Sequence, residues 1–190
     1  YVGGVAGRNR GTLELTTDTD STKRTISGTI GVGGVVGYNE TGGRLQTVNQ
    51  TADEVIAVGS GVTVSGNQSI GGIVGVNEGT LGMNTTSYLT CQAKRVKAAM
   101  GDVGGIVGRN SGDIYKAINR SDSVTADTGL AGGITATNDS GNKISDCTDY
   151  GNVRSSDGHA GGIVAKNSGT IQNCTVANAN GNIVEIYSLG

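Results

Sequence analysis

A short phrase recurs six times along the 190 residues: Gly-Gly, an aliphatic pair, a small residue, any residue and then Asn. With the residue before each Gly-Gly, the copies occupy 2–9, 32–39, 70–77, 103–110, 131–138 and 160–167, and they begin 28 to 38 residues apart. A repeat of this length is typical of a supersecondary unit stacked along one axis. It therefore predicts an elongated, repetitive architecture.

Residue usage favours strands over helices in each repeat. The chain contains 35 Gly, no Pro, no Phe and no Trp. Its short β-branched runs are separated by Gly, Asn, Asp and Ser, a pattern typical of strands and turns. We expect an all-β fold, a right-handed parallel β-helix (β-solenoid) of about six coils with three short strands each. The whole of 1–190 would form a single β-helix domain.

Two apolar columns support this register. The second strand of each coil is predicted to stack Leu13, Leu45, Leu81, Ile114, Ile144 and Ile171. The third strand is less regular, with Val124, Val153 and Ile183 as its expected members. Extra residues are assigned to corner insertions over 14–25, 46–66 and 85–101, because solenoid insertions gather at corners and often bind partners.

The Asn that ends each phrase predicts a structural ladder. Stacked Asn side chains can hydrogen-bond from coil to coil, and Asn tolerates the left-handed backbone of a sharp corner. The predicted ladder consists of Asn9, Asn39, Asn77, Asn110, Asn138 and Asn167. The Gly pairs are expected to allow a bend or a close backbone approach.

The segments 71–81 and 104–114 carry the phrase Gly-Gly-Ile-Val-Gly-x-Asn-x-Gly followed by Thr-Leu or Asp-Ile. This phrase resembles the GLUG repeat of bacterial cell-surface proteins. Such repeats occur in adhesins and in the non-catalytic part of immunoglobulin A-cleaving peptidases. The resemblance implies an extracellular bacterial protein and no enzyme active site. The chain departs from the pattern at Ala136 and Ala165, which replace the third Gly.

We therefore expect a non-enzymatic surface segment, an adhesin-type stalk or display rod that contributes to cell-surface attachment. Because the chain begins within a phrase, it is expected to be a fragment whose partners include flanking domains of the same polypeptide. A host or microbial surface glycan or protein, or a second copy, is a further expected partner. A glycan-binding or glycan-processing β-helix is the alternative, and an ice-binding solenoid would need regular Thr ladders that this chain lacks.

Candidate chemistry is sparse. His159 is the single His, beside Asp157, Ser155 and Ser156, and it occupies a variable position of the repeat. The acidic pairs Asp18/Asp20, Asp53/Glu54 and Asp146/Asp149 do not recur in neighbouring coils as a carboxylate ladder. The segments 18–21 and 138–142 only faintly resemble calcium loops, since both lack the closing Glu. We predict no catalytic residue, no cofactor and no metal.

Charge and hydropathy exclude two further classes of partner. The formal net charge of −2 argues against nucleic acid, and no apolar stretch is long enough to cross a bilayer. One short basic patch, Lys94, Arg95 and Lys97, is the candidate ligand contact for an anionic glycan or wall polymer. A solvated surface cluster without a ligand is the alternative interpretation.

Two columns leave alternatives open. Cys147 and Cys174 are predicted to stack on adjacent coils, in a column with Thr16, Val48, Asn84 and Ala117; reduced, buried thiols are favoured over a strained disulfide. Strand alternation predicts that a second, apolar column points outward. Either a bulge at Gly-Gly turns that column inward, or an insertion loop covers it, or it forms a docking face. Its members are Ala6, Val36, Val74, Val107, Thr135 and Val164.

Overall fold

The computed structural model describes residues 1–48, 53–83, 86–178 and 184–189. Over these residues the chain is all-β and its paired strands are parallel, stacked as a β-solenoid of about six turns. The predicted fold class is confirmed. Residues 49–52 of one predicted insertion, Asn84 of the predicted Cys column and Ile183 of the predicted third strand lie outside the described residues.

The described strands form four parallel sheets, which we number in the order in which the chain first enters them. Sheet 1 contains Val2–Gly3, Arg24–Gly33, Val62–Gly71, Arg95–Ala98, Val103–Gly104, Ser123–Ala126, Ala131–Gly132, Asn152–Ser155, Ala160–Gly161 and Ile186–Ser188. Sheet 2 contains Ala6–Asn9, Val36–Asn39, Val74–Asn77, Val107–Asn110, Thr135–Asn138 and Val164–Asn167. Sheet 3 contains Thr12–Leu15, Arg44–Thr47, Thr80–Leu81, Asp113–Tyr115, Lys143–Ser145 and Thr170–Gln172. Sheet 4 contains Glu54–Val58, Tyr88–Cys91, Ala117–Asn119, Thr148–Asp149 and Thr175–Val176.

A typical described coil thus has four sides, one more than the three strands predicted. The segment taken as one first strand is divided by a bend at Gly-Gly, with Ala160–Gly161 in sheet 1 and Val164–Asn167 in sheet 2. Within their described residues, the predicted insertions 46–66 and 85–101 each contain a sheet 4 strand and a sheet 1 segment. A coil with only three strands has no fourth sheet to contain these residues, so the sequence prediction assigned them to insertions.

The bend at Gly-Gly is a bulge, and it buries the apolar column that alternation placed outside. In each of the first five coils, two consecutive N–H groups donate to one carbonyl of the next coil: Val35 and Val36, for example, both donate to Ile73 O, at 2.9 and 3.0 Å. The side chains of Val35, Val36, Ile73 and Val74 are consequently all buried. The described column is therefore no docking face.

The stacked columns are confirmed in sheet 3 and corrected in sheet 1. Leu45 pairs with Leu13 and Leu81, and Ile144 pairs with Ile114 and Ile171. In sheet 1, Val124 pairs with Val153 as expected, but Val153 then pairs with Ile186. The last strand therefore lies three residues later than Ile183, the expected partner.

The corner with left-handed backbone is not the corner at which the predicted ladder Asn lie. Among the described residues, positive φ occurs outside Gly only at Ser69, Lys116, Asp146 and Asn173, and never at the predicted ladder Asn. Lys116, Asp146 and Asn173 lie between sheets 3 and 4 in successive coils, where coil three places Gly82 at φ 71°. The expectation of left-handed ladder Asn was wrong, because those Asn are the last residues of sheet 2 strands.

Within the described ranges, no helix has the length and apolar character required to cross a membrane.

Candidate functional site

The predicted Asn ladder forms at the edge between sheets 2 and 3. Each Asn Nδ2 donates to the Oδ1 of the Asn in the next coil, at 2.8 to 2.9 Å from Asn9 through Asn167. Asn39, Asn77 and Asn110 are fully buried. The second Nδ2 hydrogen is used within the corner, as in the donation from Asn77 to Gly79 O at 3.2 Å. The ladder is a structural element.

A second interior stack lies against the second Gly of the phrase in coils two to six, where the carbonyl of the neighbouring Gly also leaves little room for a side chain in coils two to five. A Cβ on Gly105 would lie 2.4 Å from Asn119 Cγ, and one on Gly133 would lie 2.2 Å from Asp149 Cγ. The last residue of each sheet 4 strand therefore reaches across the core to the Gly-Gly corner. This stack, which we call the cross-core column, consists of Val58, Cys91, Asn119, Asp149 and Val176.

Asp149 is the one carboxyl in the described part of that column, and it is fully buried. Its Oδ1 accepts hydrogen bonds from Asn119 Nδ2 at 2.8 Å and from Gly151 N at 3.0 Å. Its Oδ2 has no partner among the described residues. Burial raises the pKa of Asp149 to about 7, although the two hydrogen bonds oppose the rise.

The predicted ligand contacts lie on the outer surface of sheet 1. Arg95 and Lys97 belong to the strand Arg95–Ala98 and flank the buried Val96, so their side chains share the outer face. Lys94 immediately precedes this strand and is exposed. These three residues therefore lie on and beside a regular strand, where the sequence had suggested a corner loop.

Strand register places polar side chains in two rows along this face. One row passes from Thr25 and Thr63 through Arg95 and Ser123 to Asn152. The other contains Ser27, Ser65, Lys97, Thr125, Arg154 and Tyr187. Both rows follow the solenoid axis, because like positions of successive coils are stacked.

Two clefts on this face meet at Arg95 and Ser123. The first, of ≈ 520 Å³, is lined by residues of coils one to four: Lys23, Arg24, Thr25, Gly61, Thr63, Lys94, Arg95, Asp122 and Ser123. The second, of ≈ 440 Å³, continues to coil six and is lined by Arg95, Lys97, Ser123, Thr125, Asp127, Asn152, Val153, Arg154, Ser156, Glu185 and Tyr187. The two clefts share Arg95 and Ser123 as lining residues and lie end to end along the outer face of sheet 1, and we call the pair the sheet 1 groove.

The positive charges of the groove differ in how far they are neutralised. Lys97 Nζ lies 2.8 Å from Asp127 Oδ2, and Arg24 pairs with Asp18. Lys23, Lys94 and Arg95 have no ion-pair partner in the part of the chain that the structure describes. Arg154 stacks over the Tyr187 ring at 5.5 Å from its centroid. The first cleft, over coils one to four, therefore carries an excess of positive charge.

The remaining acidic pairs are used within the fold. Asp18 accepts hydrogen bonds from Arg24, Gly59 N and Asp20 N, and these lower its pKa against the effect of burial. Glu54 binds Arg120, at 2.7 Å, and Thr90, at 3.1 Å, and the Arg120 hydrogen bond lowers its pKa.

The other candidates for catalysis and metal binding are dispersed. Asp146 lies at a left-handed corner while Asp149 is buried, so this pair does not converge. His159 is exposed. No cluster of three or more His, Cys, Asp or Glu side chains suited to a metal occurs within the described ranges.

The two late cysteines stack as predicted, beside Ala117, and both are free. Cys147 is buried and donates to Ser145 O at 3.2 Å, whereas Cys174 is half-buried. In coils two and three this sheet 4 column contains Val55 and Leu89, so the expected member Val48 was wrong. Val48 follows the sheet 3 strand of coil two, and the sheet 4 strand of that coil begins later, at Glu54.

The sequence did not reveal most of the sheet 1 groove. Lys23, Arg24, Arg154 and Tyr187 come from coils one, five and six, far from Lys94 in the chain. The available signal was the alternation around Val124 and Val153, which places Thr125 and Arg154 on one face. The unequal corner loops concealed how the other coils align with them.

No family model matches this chain, and neither the curated proteins nor the solved structures include one that is detectably similar.

Proposed function

We propose that this chain is a non-enzymatic stalk or display segment of an extracellular bacterial surface protein, with an adhesin-type role in cell-surface attachment. The observation that carries the proposal is the unbroken Asn ladder from Asn9 to Asn167. It adds side-chain hydrogen bonds between coils that the backbone already joins. A solenoid tied in this way is a stiff rod whose length grows with the number of coils.

The dispersed titratable groups support a non-enzymatic role. Acid–base or nucleophilic catalysis needs reactive side chains within hydrogen-bond reach of one another and of a substrate. Glu54 and Asp18 are bound to arginines, and His159 lies on a different part of the repeat. The resemblance to the GLUG repeat supports the surface location.

A spacer assay tests the stalk. The chain is anchored to a supported bilayer by its C-terminus, with a fluorescent epitope at its N-terminus, and epitope height is measured by distance-dependent quenching. Six coils spaced by about 4.8 Å predict a lift of roughly 25–30 Å if the axis stands upright. A matched 190-residue Gly/Ser linker gives a broad distribution of heights. An equally broad distribution for the chain would overturn the proposal.

Antibodies raised against the folded chain test its location. We expect them to label intact cells of the source bacterium without permeabilisation. Labelling that requires permeabilised cells would contradict the surface assignment while leaving the rod geometry intact.

A further inference from the structure

We propose that the sheet 1 groove binds an extended acidic polysaccharide, a polymer of uronate type that carries both carboxylates and hydroxyl groups. This goes beyond the stalk role and does not depend on it. The groove begins at Lys23 in coil one and reaches Tyr187 in coil six. Five steps of about 4.8 Å give it a length near 25 Å, which suits a linear polymer better than a single small anion.

The charge of the groove indicates an anionic ligand. The side chains of Lys23, Lys94 and Arg95 are exposed, line the same cleft and form no ion pair with any described residue. Asp122 is the one acidic side chain that lines this cleft among the described residues. The whole chain carries a net charge of −2, so this excess of positive charge is local. A carboxylate bound here gains attraction and charge-assisted hydrogen bonds.

The spaces between the cations carry hydroxyl and amide groups at the repeat of the coils. Thr25, Thr63 and Ser123 form one row with Asn152, and Ser65 and Thr125 stand in the next. Such side chains both donate and accept hydrogen bonds, as sugar hydroxyls do. Asp122 and Glu185 supply further acceptors for sugar hydroxyls.

The scarcity of aromatic side chains disfavours single-stranded nucleic acid. Single-strand binding relies on successive aromatic side chains on which bases stack. Tyr187 is the one aromatic side chain among the described residues that line the groove.

The test measures binding of a fluorescently labelled oligogalacturonate to the whole chain by anisotropy. We expect saturable binding that weakens as salt is raised from 20 to 500 mM, because salt screens exposed charges. The variant Lys23→Ala/Lys94→Ala/Arg95→Ala should lose at least tenfold in affinity. The single substitution Arg95→Gln, which keeps a polar side chain at the junction of the two clefts, should lose about threefold.

A matched control removes the same charge elsewhere. Arg44, Lys143 and Lys166 lie on sheets 2 and 3, outside the groove, and none forms an ion pair within the described residues. We expect Arg44→Ala/Lys143→Ala/Lys166→Ala to bind the oligogalacturonate within twofold of the unmodified chain. Urea unfolding should show equal stability for both triple variants, because the six side chains project from the surface.

Four results would overturn the proposal: no saturable binding, equal loss in the two triple variants, equal affinity for a neutral maltooligosaccharide, or tighter binding of an oligothymidylate of matched length. The spacer assay provides independent information, since either triple variant should still lift its epitope by the full height. Loss of polysaccharide binding with normal height, or the reverse, therefore separates failure of this proposal from failure of the stalk.

Discussion

Two stacks of polar side chains run through the interior of the solenoid, and they differ in how far they extend. The Asn ladder continues through all six coils, from Asn9 to Asn167. In the cross-core column the polar stack is short: Asn119 donates to Asp149, and the next coil provides Val176 at that position. The two stacks share the same parallel register, so the difference lies in their chemistry.

The difference shows what an interior polar stack needs in order to propagate. A carboxamide has both donors and an acceptor, so each Asn satisfies the Asn on either side. An ionised carboxylate only accepts hydrogen bonds, so Asp149 cannot donate to a further member of the series. The next coil provides Val176, which has no polar side-chain group, and Asp149 Oδ2 has no partner among the described residues. A polar residue repeated in the interior therefore continues a hydrogen-bonded stack only when its side chain has both a donor and an acceptor.

The largest effect is expected from introducing a carboxylate into the long stack. Asn77→Asp keeps the shape, but the new side chain cannot donate to Asn110 Oδ1 as Asn77 Nδ2 does at 2.8 Å. A buried, ionised carboxylate without a full set of donors should lower the free energy of unfolding by roughly 5 kcal/mol at pH 8. Urea unfolding at pH 8 and pH 5 measures this, and part of the loss should be regained at pH 5.

The exposed substitution Glu78→Gln, one residue further on, is the control and should change stability little. Unchanged stability of Asn77→Asp at pH 8 would mean that the ladder contributes no more than solvated side chains do.

The next effect is the pH dependence that Asp149 imposes. Its pKa is about 7 when folded, above the value of 3.8 expected when unfolded. Below about pH 4 the carboxyl is protonated in both states, and between pH 4 and 7 the unfolded state loses its proton first. Stability should therefore fall across that window by up to about 4 kcal/mol and stay low above it.

Asp149→Asn should abolish this decline and exceed the unmodified chain by about 2 kcal/mol at pH 8, as measured by urea unfolding across pH 4 to 8. Asp157→Asn, which changes an exposed Asp, should preserve the decline. If stability still declines between pH 4 and 7 in Asp149→Asn, a different titratable group causes the decline.

A smaller loss is expected on removing the single donor that the short stack possesses. Asn119→Ala deletes the 2.8 Å hydrogen bond to Asp149 Oδ1 and the acceptor for Ser121 N. We expect a loss of about 2 kcal/mol and a shift of the Asp149 titration to higher pH, followed by the carboxyl resonance in NMR. An unmoved titration would show that the Asn119 hydrogen bond does not lower the pKa of Asp149.

The smallest effect should come from the end of the long stack. Asn9 donates to Asn39 Oδ1 and Gly11 O but receives nothing from a preceding described coil. Asn9→Ala should lower the free energy of unfolding by about 1 kcal/mol, against about 3 kcal/mol for Asn77→Ala, which breaks ladder bonds on both sides. Urea unfolding of the two variants measures the ratio of these two losses. Equal losses would show that ladder hydrogen bonds on both sides of an Asn stabilise the fold no more than those on one side.

The features that could be predicted from the sequence are the columns to which every coil contributes one residue at a recurring position. The Asn ladder and the column from Leu13 to Ile171 follow directly from the phrase and the strand after it. The number of sides could not be predicted in the same way. At the Gly-Gly bend two consecutive residues, such as Ile73 and Val74, both point inward, and this imitates one continuous buried strand.

The groove was visible in the sequence only as Lys94, Arg95 and Lys97. Its remaining residues follow corner segments of different length, so periodicity does not align them. The last coil shows this most plainly, because Val153 pairs with Ile186 although the sequence suggested Ile183. Alignment at that corner depends on three-dimensional register, which hydrogen bonds between coils determine.

The ladder also gives the rod an electrical direction. In the parallel sheets, backbone N–H groups donate towards both neighbouring coils, as Val35 and Arg44 do, so their dipoles largely cancel. The Asn amides do not alternate: each directs an N–H towards the C-terminal coil and its oxygen towards the N-terminal coil. Their dipoles add head to tail, as peptide dipoles do in an α-helix. The ladder therefore contributes partial positive charge at the Asn167 end and partial negative charge at the Asn9 end.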